Sequence, residues 1–122
     1  MKIMVVDDEA DVRSMYEQRF RKEVRAGQVV LHFALSAEEA LAFLETHEEE
    51  MFILSDINMP GMSGLDLLKA IKEKRRDRKV IMITAYGNEE YHSQAVAYGC
   101  HDYLTKPIDF GVLKEKLRAT PA

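Results

Sequence analysis

The sequence predicts an α/β fold: a doubly wound, five-stranded parallel sheet of strand order 2-1-3-4-5 with five helices. Three observations carry the parallel sheet and its helices; the strand order is a further expectation. Short, wholly apolar runs recur at Ile3–Val6, Met51–Leu54 and Val80–Ile83; each has strand length and no polar alternation, as strands covered on both faces require. Segments with apolar residues three and four apart separate the runs, the spacing of helices that bury one side. Strand and helix alternate along the whole chain, which calls for right-handed crossovers packing helices on both faces of one sheet.

The elements follow in order. Strand one, Ile3–Val6, ends in the acids Asp7, Asp8 and Glu9. From Ala10 to about Ala26, residues Val12, Met15, Tyr16, Phe20 and Val24 mark an amphipathic helix that Gly27 closes as a left-handed cap. Val29–Ala34 is strand two, with His32 on a partly exposed side. Ser36-Ala37-Glu38-Glu39 is a capping box for a helix through Leu41, Phe43 and Leu44 that ends near Glu48-Glu49-Glu50. Strand three runs into Ser55-Asp56 and then the turn residues Pro60-Gly61. Ser63 or Gly64 caps a third helix with Leu65, Leu68 and Ile71 inward and Lys69, Lys72 and Lys74 outward, its basic end from Lys72 to Lys79 matching the helix dipole. Strand four, Val80–Ile83, leads into Thr84-Ala85-Tyr86-Gly87. A fourth helix spans Asn88 to about Tyr98 and stops at Gly99; strand five is Asp102–Thr105, followed by Lys106-Pro107. The last helix, about Asp109 to Arg118, carries Phe110, Val112, Leu113 and Leu117.

Composition narrows the function. A chain of 122 residues, 47% hydrophobic and 31% charged, has the size of one domain, here residues 1–122 with no effector domain following. Its net charge of -4 argues against direct nucleic-acid binding. The apolar run after Met1-Lys2 meets acid too soon for a signal peptide, and a single cysteine, Cys100, cannot form an internal disulfide; both point to a cytoplasmic protein away from membranes. No histidine or cysteine falls at zinc spacing.

Loops after parallel strands open on one side of the sheet, where ligands collect at the topological switch point. Asp7, Asp8, Asp56, Thr84 and Lys106 are therefore expected in one cleft. Three clustered carboxylates repel one another unless a cation joins them, and hard oxygen donors suit Mg²⁺. Three carboxylates, a metal, a lysine and a hydroxyl form a site for a phosphoryl group, with Asp56 as the nucleophile and Asp7 and Asp8 holding the ion.

At this point the chain resembles the receiver domains of two-component response regulators over essentially its full length. The matching residues are Val6-Asp7-Asp8, Asp56 through Gly64, Ile83-Thr84-Ala85 and Tyr103-Leu104-Thr105-Lys106-Pro107. The resemblance implies a flavodoxin-like fold and a phosphorylation-controlled signalling switch, not a turnover enzyme. It implies Asp56 as phosphoacceptor, and Mg²⁺ (or Mn²⁺) held by Asp7, Asp8, Asp56 and the backbone carbonyl of Asn58. It further implies Thr84, Ala85 and Lys106 around the phosphoryl oxygens, Tyr103 as an aromatic that follows Thr84 inward, and a cis Lys106-Pro107 bond. Implied partners are a sensor histidine kinase or histidine phosphotransfer protein, and a downstream protein on the face of the fourth helix, fifth strand and fifth helix. The resemblance also implies a monomer or a phosphorylation-dependent dimer, with Asn58 and Tyr86 at positions that in the family influence phosphoryl lifetime.

Plainer readings stand beside these. Glu9 and Asp11 are dipole partners of a helix start, Thr84 a loop hydroxyl, Tyr103 a static core ring, and Arg75-Arg76-Asp77-Arg78-Lys79 a solvated face. The methionines fill core and turns. Two rival functions share the topology. A phosphohydrolase of the haloacid-dehalogenase type would carry a second Asp where Asn58 stands. A flavin-binding electron carrier would need small and hydroxylated residues where Asp7-Asp8-Glu9 would repel a phosphate.

Overall fold

The computed structural model describes residues 1–85 and 89–119. Its elements are β1 (Lys2–Val6), α1 (Asp11–Arg19), α2 (Arg21–Arg25), β2 (Val30–Ala34), α3 (Ala37–Thr46), β3 (Phe52–Asp56), α4 (Gly64–Lys74), β4 (Lys79–Thr84), α5 (Glu89–Ala97), β5 (Asp102–Thr105) and α6 (Phe110–Ala119). The five strands form one parallel sheet in the order β2-β1-β3-β4-β5, the order expected.

Alternation along each strand divides the core in two. Ile3, Val5, Phe52, Leu54, Ile81, Ile83 and Leu104 face one way, against Tyr16, Phe20, Phe110, Leu113 and Leu117 of the first and last helices. Met4, Val6, Ile53, Val80 and Met82 face the other, against Ala37 and Ala40 of α3, Leu65, Leu67, Leu68 and Ile71 of α4, and Ala95 of α5. Central strands are covered on both sides, which is why β3 has no exposed residue and its sequence shows no alternation.

Six helices stand among the described residues where five were expected, because the first predicted helix is two. Phe20 leaves helical geometry at φ -102°, ψ 12°, although its amide still bonds the Tyr16 carbonyl at 2.9 Å and its carbonyl the Val24 amide at 2.9 Å. Its buried ring lies 6.3 Å from Phe110, edge to face, and 6.3 Å from Tyr16 in a stack; burying that ring takes precedence over a straight axis. Beyond the break α2 buries nothing, so Val24, and Met15 before it, lie exposed rather than on the core face.

Two further expectations are corrected near the foot of α4. Lys72 is half-buried rather than outward: its ammonium donates to the carbonyls of Arg76 (3.1 Å) and Arg78 (2.6 Å). The basic run is not wholly solvated either. Arg78 is 6% exposed, and its guanidinium donates to the carbonyls of His47 (2.7 Å) and Glu49 (3.2 Å), tying the loop after α3 to the start of β4. The helix expected from Asn88 is described from Glu89 to Ala97, and Tyr86, Gly87 and Asn88 lie outside the described residues.

Candidate functional site

The strand ends deliver the site. Asp7 follows β1, where its amide bonds the Ala34 carbonyl at 3.1 Å; Asp56 is the last residue of β3, and the next amide, of Ile57, bonds the Ile83 carbonyl at 2.9 Å. Lys106 follows β5 with its amide on the Thr84 carbonyl at 2.7 Å. Backbone pairing between neighbouring strands therefore fixes where three of the five expected side chains begin.

Carboxylate oxygens of Asp7, Asp8 and Asp56 lie within 4.8 Å of one another. The Lys106 ammonium is 2.7 Å from Asp56 Oδ2 and 3.7 Å from Asp7 Oδ2. Asp7 and Asp56 are buried, Lys106 is about one-third exposed, and Asp8 is at the rim. The Glu9 amide donates to Asp7 Oδ1 at 2.9 Å, and the Asn58 amide to Asp56 Oδ1 at 3.2 Å. Each inner carboxylate thus has one oxygen held by backbone and the other turned toward the ammonium.

Burial raises the Asp7 carboxyl above the ordinary range. The Glu9 amide and Lys106 oppose that shift, while Asp56 and Asp8 add to it. For Lys106 burial alone would lower the pKa, but the hydrogen bond and charge of Asp56, with Asp7 and Glu9 behind, outweigh it and hold the ammonium above its usual value. Three hard oxygen donors that close fit a small divalent cation such as Mg²⁺, which takes few carboxylates and keeps several waters.

The other expected residues surround this cluster. Thr84 ends β4, 1% exposed, and its hydroxyl has no partner among the described residues. Ala85 and Asn58 are exposed at the mouth. Tyr103 is half-buried on β5, with its ring stacked on His92 of α5 at 4.4 Å. The Lys106-Pro107 peptide bond is cis.

Three residues carry no site role in the sequence reading. Gly64 packs so tightly under Asp56 that a Cβ there would overlap the Asp56 carbonyl, and its amide bonds the Ile57 carbonyl at 2.8 Å; the glycine was visible, its reason was not. His92 gave no signal, because its stacking depends on how α5 lies over β5. Tyr16 was read only as one more apolar position, yet its phenol is a polar end in a core site. That was the available clue.

A family model for the response regulator receiver domain matches residues 3–118. The chain is 38% identical over 117 residues to the response regulator protein PilR of Pseudomonas aeruginosa, covering 93% of this chain and 24% of PilR. Against a chemotaxis protein CheY homolog of Campylobacter jejuni it is 33% identical over 119 residues, covering 96% of this chain and 89% of the homolog. The chain thus spans about a quarter of the one relative and most of the other. Among solved structures, a response regulator receiver domain protein from Clostridium thermocellum superposes with a TM-score of 0.87 at 25% identity, covering 97% of this chain and 91% of that one.

Proposed function

This chain belongs to the response regulator receiver domain family, whose members are signalling switches of two-component systems, and on that premise we propose that it accepts a phosphoryl group on Asp56. One observation carries the reading: the Lys106 ammonium lies 2.7 Å from Asp56 in a cluster with Asp7 and Asp8. The donor is a phosphohistidine of a sensor histidine kinase or a histidine phosphotransfer protein. An Asp56 oxygen attacks phosphorus in line, the P–N bond breaks, and the imidazole leaves with the electron pair and then takes a proton.

Asp7, Asp8, Asp56 and the Asn58 carbonyl would hold Mg²⁺ (or Mn²⁺), which when bound supplies positive charge to the transferring oxygens. The chain's own groups do the rest. Lys106 neutralises one phosphoryl oxygen, and Thr84 with the Ala85 backbone takes another; in a loose transition state such positioning and charge are most of the catalysis. The buried Thr84 hydroxyl has no hydrogen-bond partner among the described residues, so a phosphoryl oxygen offers it one. Moving toward that oxygen frees space for the Tyr103 ring, and the face of α5, β5 and α6 then presents a different surface to a downstream protein.

Incubation with Mg²⁺ and acetyl phosphate, followed by intact mass measurement, tests this. The expected result is one added phosphoryl group, absent from Asp56→Asn and from protein treated with a chelator. A gain of mass that survives Asp56→Asn would overturn the assignment. Steady turnover of a generic phosphomonoester would favour the hydrolase instead.

A further inference from the structure

On the side of the sheet that holds Val5 and Leu54 lies a hydroxyl that the chemistry above does not use. Tyr16 of α1 is 1% exposed, and its hydroxyl has no hydrogen-bond partner among the described residues. Its ring is held on three sides: Phe110 at 5.2 Å and Phe33 at 6.5 Å, both edge to face, and Phe20 stacked at 6.3 Å. That packing leaves the hydroxyl no route to solvent. An unpaired buried hydroxyl is costly, and phenylalanine would fill the same space without the cost.

Strand alternation says what lies above it. Asp7 is two residues beyond Val5 and Asp56 two beyond Leu54, and both Val5 and Leu54 face the half of the core that contains Tyr16. Burial, and then the charges of Asp7 and Asp56, raise the phenol pKa well above the ordinary tyrosine value. The group is therefore a permanent donor beside an anionic cleft.

We infer that Tyr16 is a positioning residue of this site: its hydroxyl donates, through one bridging buried water, to the inner carboxylates of Asp7 and Asp56 and holds them in the arrangement a divalent cation needs. Buried waters characteristically join polar groups that cannot reach one another. Partners behind ligand carboxylates set their orientation, and losing one typically weakens metal binding by about tenfold or more. The inference rests on the phosphoacceptor reading and deepens it.

The test is a Mg²⁺ titration of the full chain followed by backbone amide NMR, paired with metal-free melting curves, for wild type, Tyr16→Phe and Phe20→Leu. Tyr16→Phe should weaken Mg²⁺ binding about tenfold and should not raise the metal-free melting temperature. Phe20→Leu disturbs the same aromatic cluster but keeps the hydroxyl, and should lower the melting temperature with Mg²⁺ affinity unchanged. Tyr16→Phe binding Mg²⁺ as wild type does, or melting higher without metal, would overturn the inference by showing an idle hydroxyl. Equal loss of affinity in both variants would overturn it in favour of packing. A wild-type chain that binds no Mg²⁺ would bring down the phosphoacceptor reading itself, and this inference with it.

Discussion

Lys106 reaches Asp56 at 2.7 Å and Asp7 at 3.7 Å from a side chain about one-third exposed, so solvent screens much of the pairing and its worth to folding is about 1 kcal/mol or less. Lys106→Ala should therefore melt close to wild type and gain phosphoryl mass more slowly, having lost a charge on the transferring oxygens, while the amide shifts of β5 and α6 no longer respond to phosphorylation; an intact response would count against the coupling role. Gly64 is a different case, required by space. Gly64→Ala must push the Asp56 carbonyl aside, an overpacking cost of roughly 1–3 kcal/mol that urea denaturation would register. At this scale the candidate site residues were legible because carboxylates and a lysine at strand ends have no packing reason to be there. Gly64, Tyr16 and His92 were not, since what matters at each is the group brought against it by a distant segment.

Helix α4 begins with Ser63, whose hydroxyl accepts from the Asp66 amide at 3.2 Å, so Ser63→Ala should cost about 1 kcal/mol and shorten the helix that Asp56 rests on. Arg78 ties the loop after α3 to the start of β4, and Arg78→Met would leave the His47 and Glu49 carbonyls without their donor, a loss of about 1–3 kcal/mol in urea. Between β5 and α6, Asp102 pairs with Lys116 at 2.9 Å. Burial alone would raise the Asp102 pKa, but the Lys116 hydrogen bond and the Tyr103 amide outweigh it, so the folded value lies below the ordinary 3.8. A carboxyl depressed on folding stabilises above its unfolded pKa and loses that contribution as pH falls through its folded one. Asp102→Asn should accordingly flatten the loss of stability below about pH 4, leaving neutral pH as the place where the deficit is largest. Strands were readable almost to the residue from their apolar runs. The break at Phe20 was not, because periodicity continues through it and only the Tyr16–Phe20–Phe110 cluster shows why the axis bends.

For the molecule as a whole, folding assembles a cluster of like charges from two strand ends, which an unfolded chain leaves apart. A ligand that binds only the folded form stabilises it by mass action, so Mg²⁺ at a hundred times its dissociation constant should add about 2.7 kcal/mol to unfolding. Asp56→Asn should lose most of that increment, and an equal Mg²⁺ gain in that variant, read by calorimetry, would place the ion elsewhere. The parallel sheet was legible from the alternation of elements, whereas its strand order and the face that each strand end presents are set by the register. Asp7 and Asp56 continue the rows that abut α1 and α6, while Tyr103 packs among the residues covering α3 to α5. On the proposed function the sheet would work as a bulkhead, with the chemical input written against one wall and the ring proposed to report it lodged behind the other. Repainting the far wall with new side chains would change the audience for the message while leaving the pen untouched.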